Sequence, residues 1–219
     1  YRARNLAKGA VMFGEQPAVS WEAEWSLTGG AVKLYNSEYH IPRNYGRSAI
    51  VWGSSYGQSG SEGSITVGTM NNTASQHCVN LGRKNIIKTG GGYSAAFGQD
   101  NELQINTQNS GAFGNNNVVE GSSNGSFALG SYNTLFGYGN VALGTYLKAP
   151  LQLVSGAYVL SNNCTVVGTR NNAERIYVTN QGTNIGAHHF VVGTGTLNNH
   201  FSSLVVAKRT TGFSGIIME

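Results

Sequence analysis

Four short stretches decide the fold: Ser94-Ala-Ala-Phe-Gly98, Ser110-Gly-Ala-Phe-Gly114, Ser126-Phe-Ala-Leu-Gly130 and Asn140-Val-Ala-Leu-Gly144. Each begins on a polar residue, continues in apolar ones and closes on glycine. Working outward on the amino-terminal side, the same unit recurs as Ser48-Ala-Ile-Val-Trp-Gly53, Ser64-Ile-Thr-Val-Gly68 and Cys78-Val-Asn-Leu-Gly82. On the other side it recurs as Cys164-Thr-Val-Val-Gly168 and Phe190-Val-Val-Gly193. From Gly53 to Gly144 the closing glycines stand 15, 14, 16, 16, 16 and 14 residues apart. Half-period copies lie between them at Val118-Val-Glu-Gly121 and Thr134-Leu-Phe-Gly137. Self-similarity at a nearly fixed spacing marks a repeat architecture.

The physics of the unit is direct. A strand of four or five residues shows alternate side chains to two faces. A closing glycine takes positive φ without steric cost and lets the chain turn. The clusters that follow, such as Asn115-Asn-Asn117 and Ser122-Ser-Asn-Gly125, are turn chemistry. Two strands and two turns per 14–16 residues make one coil, and stacked coils make a parallel solenoid. Fourteen residues at about 3.3 Å each give a perimeter of roughly 46 Å. So narrow a roll encloses only small and medium side chains, and its second apolar face needs a cover. The simplest cover is further copies of the same chain, so a homo-oligomer is expected. From residue 48 onward about eleven coils are expected, roughly 50 Å of stacked strands.

Composition narrows the alternatives. Of 219 residues only 11% are charged, against roughly 25% in an average soluble domain. Glycine numbers 31, asparagine 24 and serine 21, while proline numbers 3 and aspartate only one, Asp100. Charged helices, coiled coils and acidic disordered tails are excluded. No apolar run approaches the roughly 18 residues of a membrane span. No charged-then-apolar start of the signal-peptide kind is present. The net charge of +4 comes from scattered ions, the longest basic runs being Arg83-Lys84 and Lys208-Arg209. Nucleic-acid binders show a basic stripe instead, so no nucleic-acid partner is expected.

The repeat, seen as Gly125-Ser-Phe-Ala-Leu-Gly130 and Gly139-Asn-Val-Ala-Leu-Gly144, resembles the YadA-like heads of trimeric autotransporter adhesins. The match spans residues 48–168. It lapses at Glu102-Leu-Gln-Ile-Asn106, which lacks a closing glycine. The resemblance implies a left-handed parallel β-roll, three chains side by side, and heads that bind host surfaces. A second resemblance lies in Phe190-Val-Val-Gly-Thr-Gly-Thr196, Leu204-Val-Val-Ala-Lys208 and Gly212-Phe-Ser-Gly215, which look like a segment of phage tail-fibre proteins. There it follows YadA-like repeats and leads to a stalk or a self-cleaving chaperone. His200 and Ser202 replace the usual Arg and Asn of that segment.

Three segments are therefore expected: 1–47, an aromatic-rich cap or insertion holding one repeat copy (Gly9-Ala-Val-Met-Phe-Gly14); 48–186, the roll; and 187–219, the fibre segment. Residues 21–56 hold all three tryptophans, Trp21, Trp25 and Trp52, and four tyrosines. Rings of this kind seal the open end of a solenoid, or they stack on sugar faces in a shallow carbohydrate site; the sequence leaves both readings open. The residues that would form a receptor or glycan site are Trp21, Trp25, Tyr35, Tyr39 and Tyr45.

Catalytic constellations are thin. Paired carboxylates for glycoside cleavage must lie about 5–9.5 Å apart. Asp100 with Glu102, and Glu22 with Glu24, are the pairs close in sequence. No Gly-x-Ser-x-Gly sits in a strand–turn–helix setting, and no Gly-x-Gly stretch is followed by a phosphate-loop lysine. His188 and His189 are adjacent and so face opposite sides of a strand. Cys78 and Cys164 lie about six coils apart, too far for a bridge, and read as buried small residues. No catalysis, cofactor or metal is expected. The sequence reads as an extracellular attachment fibre, on a virion or a bacterial surface, that binds a receptor multivalently. The alternatives are a bacterial trimeric adhesin of the same fold, a polysaccharide depolymerase and a purely structural shaft.

Overall fold

A computed structural model of the chain describes residues 4–5, 8, 10–13, 18–19, 25–30, 33–35, 38–40, 43–57, 61–149, 151–154, 157–160, 162–170, 185–194, 202–209 and 214–218. These residues form an all-β solenoid whose coils pair in parallel. From Ile50 to Thr169 it makes about seven turns. Fewer coils follow residue 48 than the eleven expected, because insertions lengthen the spacing after Gly144. One of these is the antiparallel hairpin Leu151–Val154/Ala157–Leu160.

Each turn contributes one strand to each of two walls. The long wall stacks Ile65–Thr73, Val79–Arg83, Ala95–Gln99, Gly111–Asn115, Phe127–Ser131, Val141–Thr145 and Thr165–Thr169 in register. The short wall stacks the two-residue strands Ile86–Ile87, Glu102–Leu103, Val118–Val119 and Thr134–Leu135. Alternation puts the second residue of each long strand inside, and Ala96, Ala112, Ala128 and Ala142 are fully buried there. Ile87, Leu103, Val119 and Leu135 are buried from the short wall. Small residues in one wall and large in the other fill a gap too narrow for two large side chains.

Two ladders run parallel to the axis and explain the abundance of asparagine and serine. Asn85, Asn101, Asn117 and Asn133 lie buried at the corner where long strand passes to short. The Nδ2 of Asn117 donates to the carbonyls of Phe113 and of Gly130 in the next coil, at 3.1 and 2.8 Å. Its Oδ1 accepts the backbone N–H of Asn133. At the opposite corner the Oγ of Ser110 donates to the Ser123 carbonyl and accepts the backbone N–H of Ser126. Cys78 and Cys164 occupy the serine slot as free, buried thiols.

The closing glycine is the fourth residue of a five-residue strand rather than its end. Gly82, Gly98, Gly114, Gly130 and Gly144 align in register at φ between 111° and 145°. A Cβ on Gly130 would overlap the carbonyl oxygen of Gly144. Close approach between coils, as much as the positive φ, therefore excludes every other residue at this position.

The boundary expected at residue 47 is not where the parallel ladder stops. Val11–Phe13 pairs with Leu27–Gly29, which pairs with Ile50–Gly57, all in parallel. Arg4–Asn5, Ala18–Val19 and Arg43–Asn44 continue the short wall. The period is hidden there because the hairpin Lys33–Tyr35/Glu38–His40 is inserted between Gly30, which abuts Gly53, and the short strand at Arg43. At the other end Ile185–Thr194 joins the ladder in parallel, aligning Gly168 with Gly193. The chain then reverses into the antiparallel strands Ser202–Arg209 and Ser214–Met218.

Candidate functional site

The outer surfaces of the two walls differ in chemistry. On the long wall the first and third residues of each strand point outward. From Ile50 to Val167 these columns hold Ile50, Ile65, Val79, Ala95, Gly111, Phe127 and Val141, then Trp52, Val67, Leu81, Phe97, Phe113, Leu129 and Leu143. Thr165 is the one polar member of that run. The rings of Phe97, Phe113 and Phe127 stack along the axis at centroid separations of 5.1 and 6.1 Å. Gly111 makes room for them, since a Cβ there would stand 2.6 Å from the Phe127 ring. Phe13 and Trp52 extend the column toward the amino terminus, with centroids 6.3 Å apart.

This wall carries no charge along its outward columns, yet it faces solvent in a single chain. Leu129 is 53% exposed, Phe13 54% and Leu143 43%. The fifth strand position, with Arg83, Gln99, Asn115, Ser131 and Thr145, rims it with polar groups. A long apolar patch with a polar rim is the signature of an association surface.

The short wall is different. Its outward residues include Lys88, Glu102, Glu120 and Lys148, and Lys88 forms an ion pair with Glu102. Burial raises the Glu120 carboxyl above the usual range, the nearby Glu102 charge raises it further, and Lys88 opposes both. The two walls thus differ in outward chemistry, one charged and one apolar.

The turns passing from short strand to long form a notched edge. Trp25, Ser48, Gly63, His77, Tyr93, Asn109, Gly125, Gly139 and Asn163 stack there, all with φ between 53° and 68°. Tyr93 is 69% exposed, and its ring stacks on His77 at 5.1 Å. His77 in turn lies over Gly63. At the opposite corner Tyr132 and Tyr146 stack at 4.7 Å, with the Arg170 guanidinium 3.9 Å above the Tyr146 ring.

Of the residues expected to form a receptor site, the described ones are spread over two sides of the roll. Trp25 lies exposed on the notched edge, and Tyr45 is half-buried in the following coil's turn on the same side. Tyr35 and Tyr39 belong to the hairpin inserted in the connection on the other side, where Tyr35 pairs with Glu38 and Leu34 with Tyr39. Trp21, Glu22 and Glu24 lie outside the described residues. Asp100 accepts a hydrogen bond from the Gln99 side chain at 2.8 Å, so it and the Lys88-paired Glu102 are each engaged locally. His188 lies on a strand opposite Ala207.

No known family, curated protein or solved structure matches the chain.

Proposed function

We propose that the chain is the head of a three-chain attachment fibre, built like the YadA-like rolls, that binds a cell-surface receptor without catalysing a reaction. The observation that carries this reading is the uncharged outward face of the long wall, running the length of a rigid solenoid. Burial of apolar surface stabilises by about 25 cal/mol per Å², so a face of this kind favours self-association over exposure. Three identical sites on one stiff shaft raise avidity by about 10²–10⁴-fold without new contacts. The receptor is proposed to be a glycan or another outer-membrane component, met outside the cell. Trp25 and Tyr45 on one side, Tyr35 and Tyr39 of the hairpin, and Trp21 are the proposed contacts. The resemblance of residues 190–215 to tail-fibre segments favours a phage tail or capsid fibre over a bacterial adhesin of the same fold.

Binding of the fluorescently labelled protein to whole bacterial cells, with purified surface polysaccharide as competitor, tests the reading. Saturable binding that the polysaccharide displaces, without release of reducing ends, is the expected result. Absence of binding to any envelope tested points to the shaft reading. Release of reducing ends that is lost in Glu102→Gln points to a depolymerase.

A further inference from the structure

Coil length along the roll is uneven, and the unevenness shapes the notched edge. The coil from Gly68 to Gly82 has 14 residues, whereas the next three have 16. Both kinds of coil keep the same register in the long wall, and the short strands stay paired. The two missing residues therefore come out of the turn between short and long strands: Ala74-Ser-Gln-His77 in one coil, Lys88-Thr-Gly-Gly-Gly-Tyr93 in the next. The shorter turn leaves a step beside the longer one. At that step lies a cavity of about 240 Å³, lined by Ser75, Gln76, His77, Thr89, Tyr93 and Gln108, with Gly90 and Gly92 contributing bare backbone.

The chemistry of the lining selects a ligand. It carries no carboxylate, lysine or arginine, and His77, its one imidazole, is stacked on the Tyr93 ring, so the lining is mainly neutral and polar. It offers amides from Gln76 and Gln108 and a hydroxyl from Thr89, groups that both donate and accept hydrogen bonds. Tyr93, exposed and steadied by His77, supplies an aromatic surface. The volume is below the roughly 300–1,000 Å³ of pockets for drug-sized molecules and is of the size of one sugar ring. We infer that the step between these two coils is a subsite for a single neutral pyranose of a surface polysaccharide, with Tyr93 against its C–H face and Gln76 and Gln108 on its hydroxyls. In biological terms the inference rests on the attachment reading; in chemical terms it stands on the step alone.

Saturation-transfer NMR on the full chain tests it, using methyl α-D-glucoside, methyl β-D-galactoside, methyl α-D-mannoside and N-acetylglucosamine as separate probes, and glucuronic acid as the charged control. At least one neutral probe is expected to receive saturation. Its affinity is expected to fall at least tenfold in Tyr93→Asn, which keeps the positive φ tolerable, and several-fold in Gln108→Ala. Gln104→Ala, outside the lining, is expected to change nothing. Silence from all neutral probes, a response to glucuronic acid alone, or unchanged binding in folded Tyr93→Asn and Gln108→Ala overturns the assignment. Cell binding by a trimer with an inert step leaves the fibre reading standing without the subsite. Sugar binding by a chain that neither associates nor binds cells leaves the subsite without the fibre.

Discussion

The side-chain oxygen of Asn101 accepts two hydrogen bonds from Asn117, one from its backbone N–H and one from its Nδ2, both at 3.1 Å. Asn117 serves two further carbonyls and the next backbone N–H, so one side chain satisfies backbone groups in two successive coils and bonds a side chain in a third. Asn117→Ala leaves these buried groups unmet, at about 1–3 kcal/mol each. A loss of ~3 kcal/mol or more is expected, read as a lower guanidinium midpoint at unchanged slope. A change under ~1 kcal/mol would show that water replaces the rung.

Two glycines of one coil separate close approach from backbone conformation. At Gly130 (φ 121°) a Cβ meets the next coil's backbone, whereas at Gly125 (φ 68°) nothing lies within 4 Å. Gly125→Ala pays only the left-handed backbone penalty, about 1–2 kcal/mol, and Gly125→Asn less. Gly130→Ala must push two coils apart and is expected to prevent folding of the roll. Circular dichroism and thermal melting of the three variants check the order, which reverses if the coils part easily.

Burial pushes the Cys164 thiol from its ordinary value of 9.0 up to about 12, because a thiolate there would lose its hydration. The Cys78 thiol is raised too, by burial first, against hydrogen bonds that lower it. Both are expected to resist iodoacetamide at pH 8 in the folded protein and to react after unfolding. The sign for stability follows: the contribution of Cys164 is fully present below pH 9.0 and is lost as pH rises toward 12. Cys164→Ser, which restores the hydroxyl used elsewhere in the ladder, is expected to flatten that alkaline loss. Rapid native-state labelling would contradict the burial.

Leu129 stands in the middle of the apolar wall and is half exposed in a single chain; the proposed assembly would cover it. Leu129→Glu is expected to leave the far-ultraviolet dichroism of the roll unchanged and to reduce the solution mass to one chain. Glu102→Gln on the charged wall is expected to leave the mass unchanged. Dissociation by Glu102→Gln with no effect of Leu129→Glu would place the association surface on the wrong wall.

Much of this was legible in the residues. The closing glycines, the alternating apolar residues and the Asn-rich turns announce a parallel solenoid, because register and close approach leave the sequence little freedom at those positions. The amino-terminal coils were hidden because the inserted hairpin at residues 33–40 stretches the spacing from Gly30 to Gly53 to 23 residues. Aromatic residues concentrate in 21–56, and of these Trp52 lies on the apolar wall, packing where Gly29 leaves room. The step beside His77 and Tyr93 was already written in the change from 14 to 16 residues. It became readable only once the wall register showed which turn absorbs the difference.

The mass of the purified chain in solution, measured by multi-angle light scattering, tests the central claim most directly. Three times 23.2 kDa is the predicted result. A folded chain at 23.2 kDa, or at twice that mass, would contradict a three-chain fibre built on the uncharged wall.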